Sequence, residues 1–490
     1  MRKEDIIFII SPSLWSSNMY PTGVLCLSAY LQKRGFENII LDSAVCRRKM
    51  PKKAKEEAIL SKIKEFKPKI VCFSATHKEF DEIVRMNNAI KSIADNIFTI
   101  VGGPQPTYRP ADFLDNGFDF AGIGEGEATL YEFVQEVFDQ SYQWNNILGL
   151  CWKNGQKNVL NPPRQLMTQE ELNDIPILPY NKINRKYFDI DIRMIRGLPL
   201  KGALIMTTRG CPFSCSYCGC NLIFGKKLRS YSLDHIETEI KHLREEYDVE
   251  GIWIADDTFT MKTEHAMGVS GILKKYGIIW GCQSRVDTIN EELVKIMRES
   301  GCVQIDFGVE SGSQRILSDI IGKRINAEQV ENAFKVSKKY KIRTLANFMI
   351  GLPTESYEDL RKTQGLADKI KAVVYIFSIA TPLPGTRLYD MVNEEITPQE
   401  YSLLDWNGSI FMEKINKSEL SNLQKERLRL EKKYFLSTVI KSSFSKYNLF
   451  FFLKRRYKYQ RIRCILHYLT EYLIKKVFSV NTQDKIGSTN

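Results

Sequence analysis

Two successive series of alternating strand and helix signals predict an α/β protein with two parallel sheets. A dense group of cysteines opens the second series. In the first series the apolar runs IIFII (6–10), NIIL (38–41), KIVCFS (69–74), FTIVGG (98–103) and FDFAGIG (118–124) are separated by helical patterns such as PTGVLCLSAYLQKRG. There Pro21 suits a first helical turn and Gly35 a C-terminal stop. Five strand–helix units predict a doubly wound, Rossmann or flavodoxin-like parallel sheet over residues 1–140, covered on both faces. Ligands of such sheets sit at the carboxyl ends of the strands, near the point where strand order reverses.

Residues 141–200 break the rhythm. ILGLCWKNGQKNVLNPP reads as a hairpin turning at Asn154–Gly155, and the Pro-rich NDIPILPYNKIN that follows reads as a linker. The second series fills residues 201–394, with strand signals at 203–208, 251–256, 278–285, 303–310, 343–351 and 373–380. Six strand–helix units predict a partial (β/α)6, TIM-like barrel, whose chemistry would lie at the carboxyl ends of its strands. Residues 395–490 read as an α-helical C-terminal region. In it Ile462, Ile465, Leu466, Leu469, Leu473 and Val477 form an apolar stripe on a basic helix.

A chain of 490 residues is too long for one core, and its 43% hydrophobic and 26% charged residues are those of an ordinary globular protein. The net charge of +12 is concentrated at the end: thirteen Lys and Arg against Glu471 and Asp484 from Lys432 onward give a local +11. No apolar run approaches the roughly 18 residues of a membrane span. Seven of the eleven cysteines are scattered singly and MRKEDIIFII lacks a signal-peptide layout, so a reducing, cytoplasmic compartment is expected and a disulfide framework is not.

The other four cysteines lie in RGCPFSCSYCGCN, residues 209–221, with Cys211, Cys215 and Cys218 in C-x3-C-x2-C register directly after the first strand of the second series. Zinc sites are usually closed by paired clusters, and no second cluster follows. Three thiolates on one loop suit an iron–sulfur cluster with one iron left open; zinc and unliganded thiols are the alternatives.

This spacing, with Tyr217 before the last cysteine, resembles the signature of the radical S-adenosylmethionine (radical SAM) enzymes. IWIADDTF, SRVDTINEELVKIMRESGC, FGVESGSQRIL, FMIGLPTES and TPLPGTRLYD extend the resemblance in order from Lys201 to Asp390. It implies that Cys211, Cys215 and Cys218 hold a 4Fe–4S cluster whose open iron binds SAM. The backbone near Tyr217 would then face adenine, Asp256 and Asp257 the SAM amino group, and Glu310 and Ser311 the ribose or methionyl part. Gly351 and Glu355 match the family's GxxE. Ordinary readings stand beside these: Asp256 or Asp257 as a helix cap and Gly351 as a turn, while Arg285 reads either as a substrate or carboxylate clamp or as a surface ion-pair partner. Cys220 is expected to stand aside, because a fourth thiolate would fill the position that SAM needs.

The first unit resembles the cobalamin-binding domain fused to one radical SAM subgroup, on YPTGVLCLSAYLQKRGFENIILD, IVCFSATHKEFDEIVRMNNAI and IVGGPQPTYRPADFLDNGFDFAGIGEGEATL. The resemblance assigns cobalamin contacts to Ser74, Ala75 and Thr76, to Gly102 and Gly103, and to Gly124, Glu125 and Gly126. These glycines would let a bulky ligand lie against the backbone. The loop SPSLWSSNMYPTG lacks the D-x-H-x-x-G histidine of many cobalamin proteins, which implies no axial histidine from that loop, and His77 is expected to be a plain loop residue.

The resemblance therefore implies a cobalamin-dependent radical SAM enzyme that cleaves SAM to a 5′-deoxyadenosyl radical and methylates an unactivated carbon through methylcobalamin. Rearrangement or cyclisation without methyl transfer is the near alternative. A non-catalytic zinc module with a nucleic-acid-binding tail is the distant one. Expected partners are a small-molecule or lipid-like substrate and an electron donor such as flavodoxin or ferredoxin. The basic tail is expected to pack on the barrel, with peripheral membrane contact second. Tyr457 and Tyr459 interleave with its charges, but no recognised RNA-binding motif is present, so nucleic acid is not an expected partner.

Overall fold

The computed structural model describes residues 2–11, 20–42, 51–189, 195, 198, 200–392, 395–404 and 417–443. The first sheet contains β1 (Ile6–Ile10), β2 (Ile39–Asp42), β3 (Ile70–Ser74), β4 (Phe98–Gly102), β5 (Phe120–Gly122), β6 (Leu150–Asn154) and β7 (Lys157–Leu160). Their order is β2-β1-β3-β4-β5-β6-β7, so the order reverses around β1 and β3. Every residue of β1 is buried, as a strand covered on both faces requires. Successive side chains go to opposite sides: Ile7, Ile9, Val71 and Phe73 enter one core, whereas Ile6, Phe8, Ile70 and Cys72 enter the other.

Two sequence expectations change here. The 150–160 hairpin turns where expected, with Gly155 at φ +61°, but it does not stand outside the sheet. β6 pairs antiparallel with β5, Phe120 opposite Trp152, so the sheet is mixed and continues to Leu160. The Pro-rich stretch is no open linker either. Leu172, Ile175, Leu178, Tyr180, Ile183, Tyr187 and Phe188 are buried in a core shared with both sheets, because its apolar residues wedge between them.

The second sheet is wholly parallel and uses β8 (Gly202–Ile205), β11 (Gly251–Ile254), β12 (Ile279–Ser284), β13 (Cys302–Glu310), β14 (Arg343–Ile350) and β15 (Val374–Ile379) in sequence order. Each expected strand is present. β9 (Thr208–Arg209) and β10 (Arg229–Ser230) form a separate antiparallel ribbon after β8. Helices Leu233–Tyr247, Glu291–Glu299, Ala327–Lys339 and Tyr357–Ile370 start on Ser232, Asn290, Asn326 and Ser356, whose side chains each accept a backbone N–H from the first turn.

Helix Lys417–Ser443 closes the β15 edge, where Tyr434 stacks on Tyr375 with ring centres 4.2 Å apart and Leu430 is buried. Among the described residues no helix is long and apolar enough to cross a membrane. The 462–477 stripe, Tyr457, Tyr459 and most of the basic tail lie outside the described residues, as does most of the loop after β1. The chain also returns to the first unit after the barrel. Tyr401 packs on Phe80 with ring centres 5.4 Å apart, and a ring nitrogen of His77 lies 3.2 Å from the Leu404 carbonyl oxygen.

Candidate functional site

The cysteine loop spans Gly210 to Leu228, between the two strands of the ribbon, and its backbone is tied at several points. Cys211 N–H donates to Gly225 O at 3.2 Å, Ser216 N–H to Ile321 O at 2.8 Å, and Cys218 N–H to Cys215 O at 3.1 Å. Gly210 takes φ +93°, and a side chain there would run into the Lys227 carbonyl. Cys211 and Cys215 are partly buried and Cys218 is the most exposed of the three. Among the described residues no group of three or more His, Cys, Asp or Glu side chains is arranged to hold a metal ion.

Two cations face Cys215. Arg285 lies with its guanidinium 3.9 Å from the sulfur and 3.5 Å from the centre of the Phe213 ring, and Asp287 holds it through two bonds. Lys323, only 4% exposed, donates to Glu310 Oε1 at 2.9 Å, and the Tyr217 hydroxyl donates to the same oxygen at 2.8 Å. Burial raises the Cys215 thiol, while Lys323 and Arg285 pull it down. Cys220 donates to Asp257 Oδ2 at 2.7 Å, and burial and that carboxylate raise its thiol, so it has a partner of its own.

A cavity of about 360 Å³ opens at the carboxyl ends of the first sheet's strands. Ser74, Gly102, Gly103, Gly124, Glu125 and Gly126 all line it, together with Phe224, Tyr231, His235 and other residues of the second unit. No atom lies within 4 Å of where a Gly124 side chain would begin, and the nearest to Gly102 is at 4.0 Å, so both glycines leave room beside the backbone. Ala75 and Thr76, also expected to contact cobalamin, are not among the residues that line the cavity. Ala75 N–H donates to Gly102 O at 2.9 Å, and Thr76 donates through both N–H and hydroxyl to Glu79.

The radical SAM superfamily model matches residues 205–367, and the B12 binding domain model matches residues 16–134. An uncharacterized methyltransferase of Pyrococcus horikoshii is 36% identical over 332 residues, 67% of this chain and 70% of its own length. The chain belongs to the B12-binding radical SAM enzymes. A cytidylyl-2-hydroxyethylphosphonate methyltransferase of Streptomyces wedmorensis is 26% identical over 435 residues, covering 79% of this chain and 81% of its own. Among solved structures, the radical SAM methyltransferase TsrM of Kitasatospora setae, with cobalamin and an iron–sulfur cluster bound, superposes with a TM-score of 0.69 at 17% identity. That match covers 79% of this chain and 77% of TsrM and is a likeness of fold.

The cofactors of this B12-binding radical SAM enzyme are a 4Fe–4S cluster, SAM and cobalamin, which sets the zinc-module reading aside. Both sites have suitable chemistry. Three thiols on one loop, the middle one beside Arg285, suit a cluster held by thiolates, and a cavity bordered by side-chain-free backbone suits a large ligand.

The expected SAM contacts are not all presented alike. Asp256 is buried, and its carboxylate accepts from Thr207 N–H at 2.6 Å, the Thr207 hydroxyl at 2.5 Å and Thr208 N–H at 3.1 Å. Its carboxylate thus fixes the strand end that leads into the cysteine loop and caps no helix; burial pushes it up to about 6. Ser311 is fully buried and is bonded to Thr363 and to Ser313 N–H. Glu310, held at φ +66°, joins Tyr217 and Lys323.

Glu355 accepts from Gly351 N–H at 2.6 Å and Leu352 N–H at 3.3 Å, holding Gly351 at φ +79°, while its other oxygen is buried without a partner. Burial pushes this carboxyl up to about 7 from its ordinary 4.5. A raised carboxyl holds its proton longer in the folded state, so its contribution to stability is full below pH 4.5 and is lost as pH rises to about 7. Glu355→Gln removes that loss, and the variant should gain on the wild type by up to about 3 kcal/mol between mildly acidic and alkaline pH. Urea melts of both proteins at the two pH values check this; parallel pH profiles would contradict it.

Sequence reasoning missed the partners of Glu125. Arg209 and Arg229, from the ribbon strands that bracket the cysteine loop, donate to its two oxygens at 3.2 and 2.8 Å, and Arg209 also pairs with Glu127 at 2.8 Å. Glu125 lines the cavity, yet its carboxylate is committed to these arginines and to Met167 N–H. The available signal was the placing of an arginine immediately outside each end of the cysteine loop.

Proposed function

We propose that this B12-binding radical SAM enzyme is a methyltransferase acting on an unactivated carbon of a small molecule. The observation that carries the reading is that loops at the cobalamin edge of the first sheet touch the cysteine loop and the ribbon that closes it: the Tyr108 hydroxyl donates to Gly219 O at 3.0 Å, and Glu125 pairs with Arg209 and Arg229. Similarity to the Pyrococcus and Streptomyces methyltransferases supports methyl transfer over rearrangement or cyclisation.

In this reading Cys211, Cys215 and Cys218 hold the cluster, and Ser74, Gly102, Gly103, Gly124 and Gly126 border cobalamin. When bound, the cluster supplies the electron that splits SAM, and cobalamin supplies a carrier for the methyl group. Arg285 and Lys323 offset the negative charge of the thiolates. Tyr217, Glu310 and Lys323 brace the loop against β13, and Glu355 fixes the turn after β14. Asp257, held beside the loop by Cys220, is assigned to the SAM amino group, and Glu310 to the ribose or methionyl part.

Incubating the reduced holoenzyme with methyl-deuterated SAM and an extract of small molecules tests the activity. A product heavier by one labelled methyl group, formed with matching S-adenosylhomocysteine, is expected. Substrate consumption with 5′-deoxyadenosine but no labelled product would refute methyl transfer and point to rearrangement or cyclisation.

A further inference from the structure

The ribbon that closes the cysteine loop places Arg209 directly opposite Arg229. Like charges facing each other across paired strands repel, and both side chains are nearly sealed from water, at 4% and 2% exposure. The charge that offsets them comes from the other unit. Glu125 lies between the two guanidinium groups, and Glu127 takes the second face of Arg209. Glu125 also receives Met167 N–H at 2.9 Å, while Arg229 donates to the Met167 and Phe224 carbonyls at 2.8 and 2.7 Å. The base of the cysteine loop is therefore fastened by a carboxylate flanked by Gly124 and Gly126, which border the cavity. A second fastening lies further along, where Tyr108, at the end of the short helix after Gly103, reaches Gly219.

We infer that Glu125, with Tyr108 as the second contact, is a positioning residue that makes cobalamin and the iron–sulfur cluster bind cooperatively. This inference rests on the reading of the cavity as the cobalamin site. A ligand that orders the 124–126 turn and the loop after β4 orders the same carboxylate and hydroxyl that hold the cysteine loop shut. By linkage, a cluster that orders the cysteine loop must strengthen cobalamin binding by the same factor.

The test is an anaerobic absorbance titration of the full chain with hydroxocobalamin, with and without reconstituted cluster. In the wild type the cluster-loaded protein should bind roughly tenfold more tightly, within the usual range of coupling between sites. Glu125→Gln should bring the ratio close to one. A general loss of stability would weaken both forms and leave their ratio, so the ratio reports coupling and not mere damage. If Glu125→Gln does not yield folded protein by circular dichroism, Tyr108→Phe, which loses only the bond to Gly219, should lower the ratio by severalfold. A ratio of one in the wild type, or an undiminished ratio in the folded variants, would overturn the inference. Absence of binding to either form would instead overturn the cobalamin-site reading on which it stands.

Discussion

Cys215→Ala is expected to yield a folded protein that still binds cobalamin, has lost its intact 4Fe–4S cluster, and produces 5′-deoxyadenosine only at the background of cluster-free protein. Cys215 lies mid-way along the loop, next to Ser216, whose N–H and carbonyl are bonded to Ile321 and Leu388. Its position is thus set by the backbone, and neighbouring thiols cannot slide into its place. The Arg285 guanidinium lies 3.9 Å from its sulfur, a contact that the substitution removes while Arg285 keeps Asp287 and Lys323 keeps Glu310. Cys220→Ala is the matched control. That thiol is already given to Asp257, and the substitution should leave iron content near the wild-type value. Iron and sulfide analysis, electron paramagnetic resonance of the reduced protein and product quantification read all of this. Equal iron loss in both variants would contradict the assignment of the three ligands.

Gly103→Ala should be the most damaging single-methyl change on the cobalamin side. Gly103 takes φ +107°, and its new Cβ would stand 2.9 Å from Ala75 O and 3.1 Å from Ala75 N. Those are backbone atoms, so no side-chain rotation relieves the overlap. The conformational strain alone is of the order of 1–3 kcal/mol, and the β3 and β4 loops would have to separate. That movement deforms the cavity rim, and cobalamin affinity should fall by at least about tenfold, the equivalent of roughly 1.4 kcal/mol. Gly102→Ala gives the contrast, since its nearest neighbour is at 4.0 Å and its φ is ordinary; there any loss of cobalamin reports contact with the ligand more than strain in the loop. Absorbance titration and thermal melts of both variants compare the two. Wild-type affinity in Gly103→Ala would contradict the placement of the ligand against this loop.

Much of this architecture was legible because buried parallel strands read as continuous apolar runs. IIFII is such a run, whereas VQIDFGVE alternates apolar with polar or small residues, and both patterns declare a strand without knowledge of its partners; the six strands of the second sheet were found from them. Where β6 and β7 attach was not legible. Asn154–Gly155 marks a hairpin locally, but its pairing with β5 depends on contacts across the interval occupied by helix Glu127–Asp139. The 172–188 stretch misled for a related reason: its prolines erase the periodicity that would have shown Ile175, Leu178 and Tyr180 to be core residues.

The site divides in the same way. The cysteine trio was found from spacing, since chemistry demands thiolates close together on one loop. Glu125 was assigned to cobalamin because it stands in a glycine-rich strand end. Only the fold shows that its partners are Arg209 and Arg229, 84 and 104 residues away. Asp256 and Ser311 likewise sit where SAM contacts were expected, but each already has partners within the chain.

The most direct test of the central claim is an anaerobic incubation of cluster- and cobalamin-loaded protein with SAM and a strong reductant, with 5′-deoxyadenosine and S-adenosylhomocysteine quantified by mass spectrometry. The account predicts both products from the wild type and loss of 5′-deoxyadenosine in Cys215→Ala. Neither product, from protein shown to contain iron, sulfide and cobalamin, would contradict it.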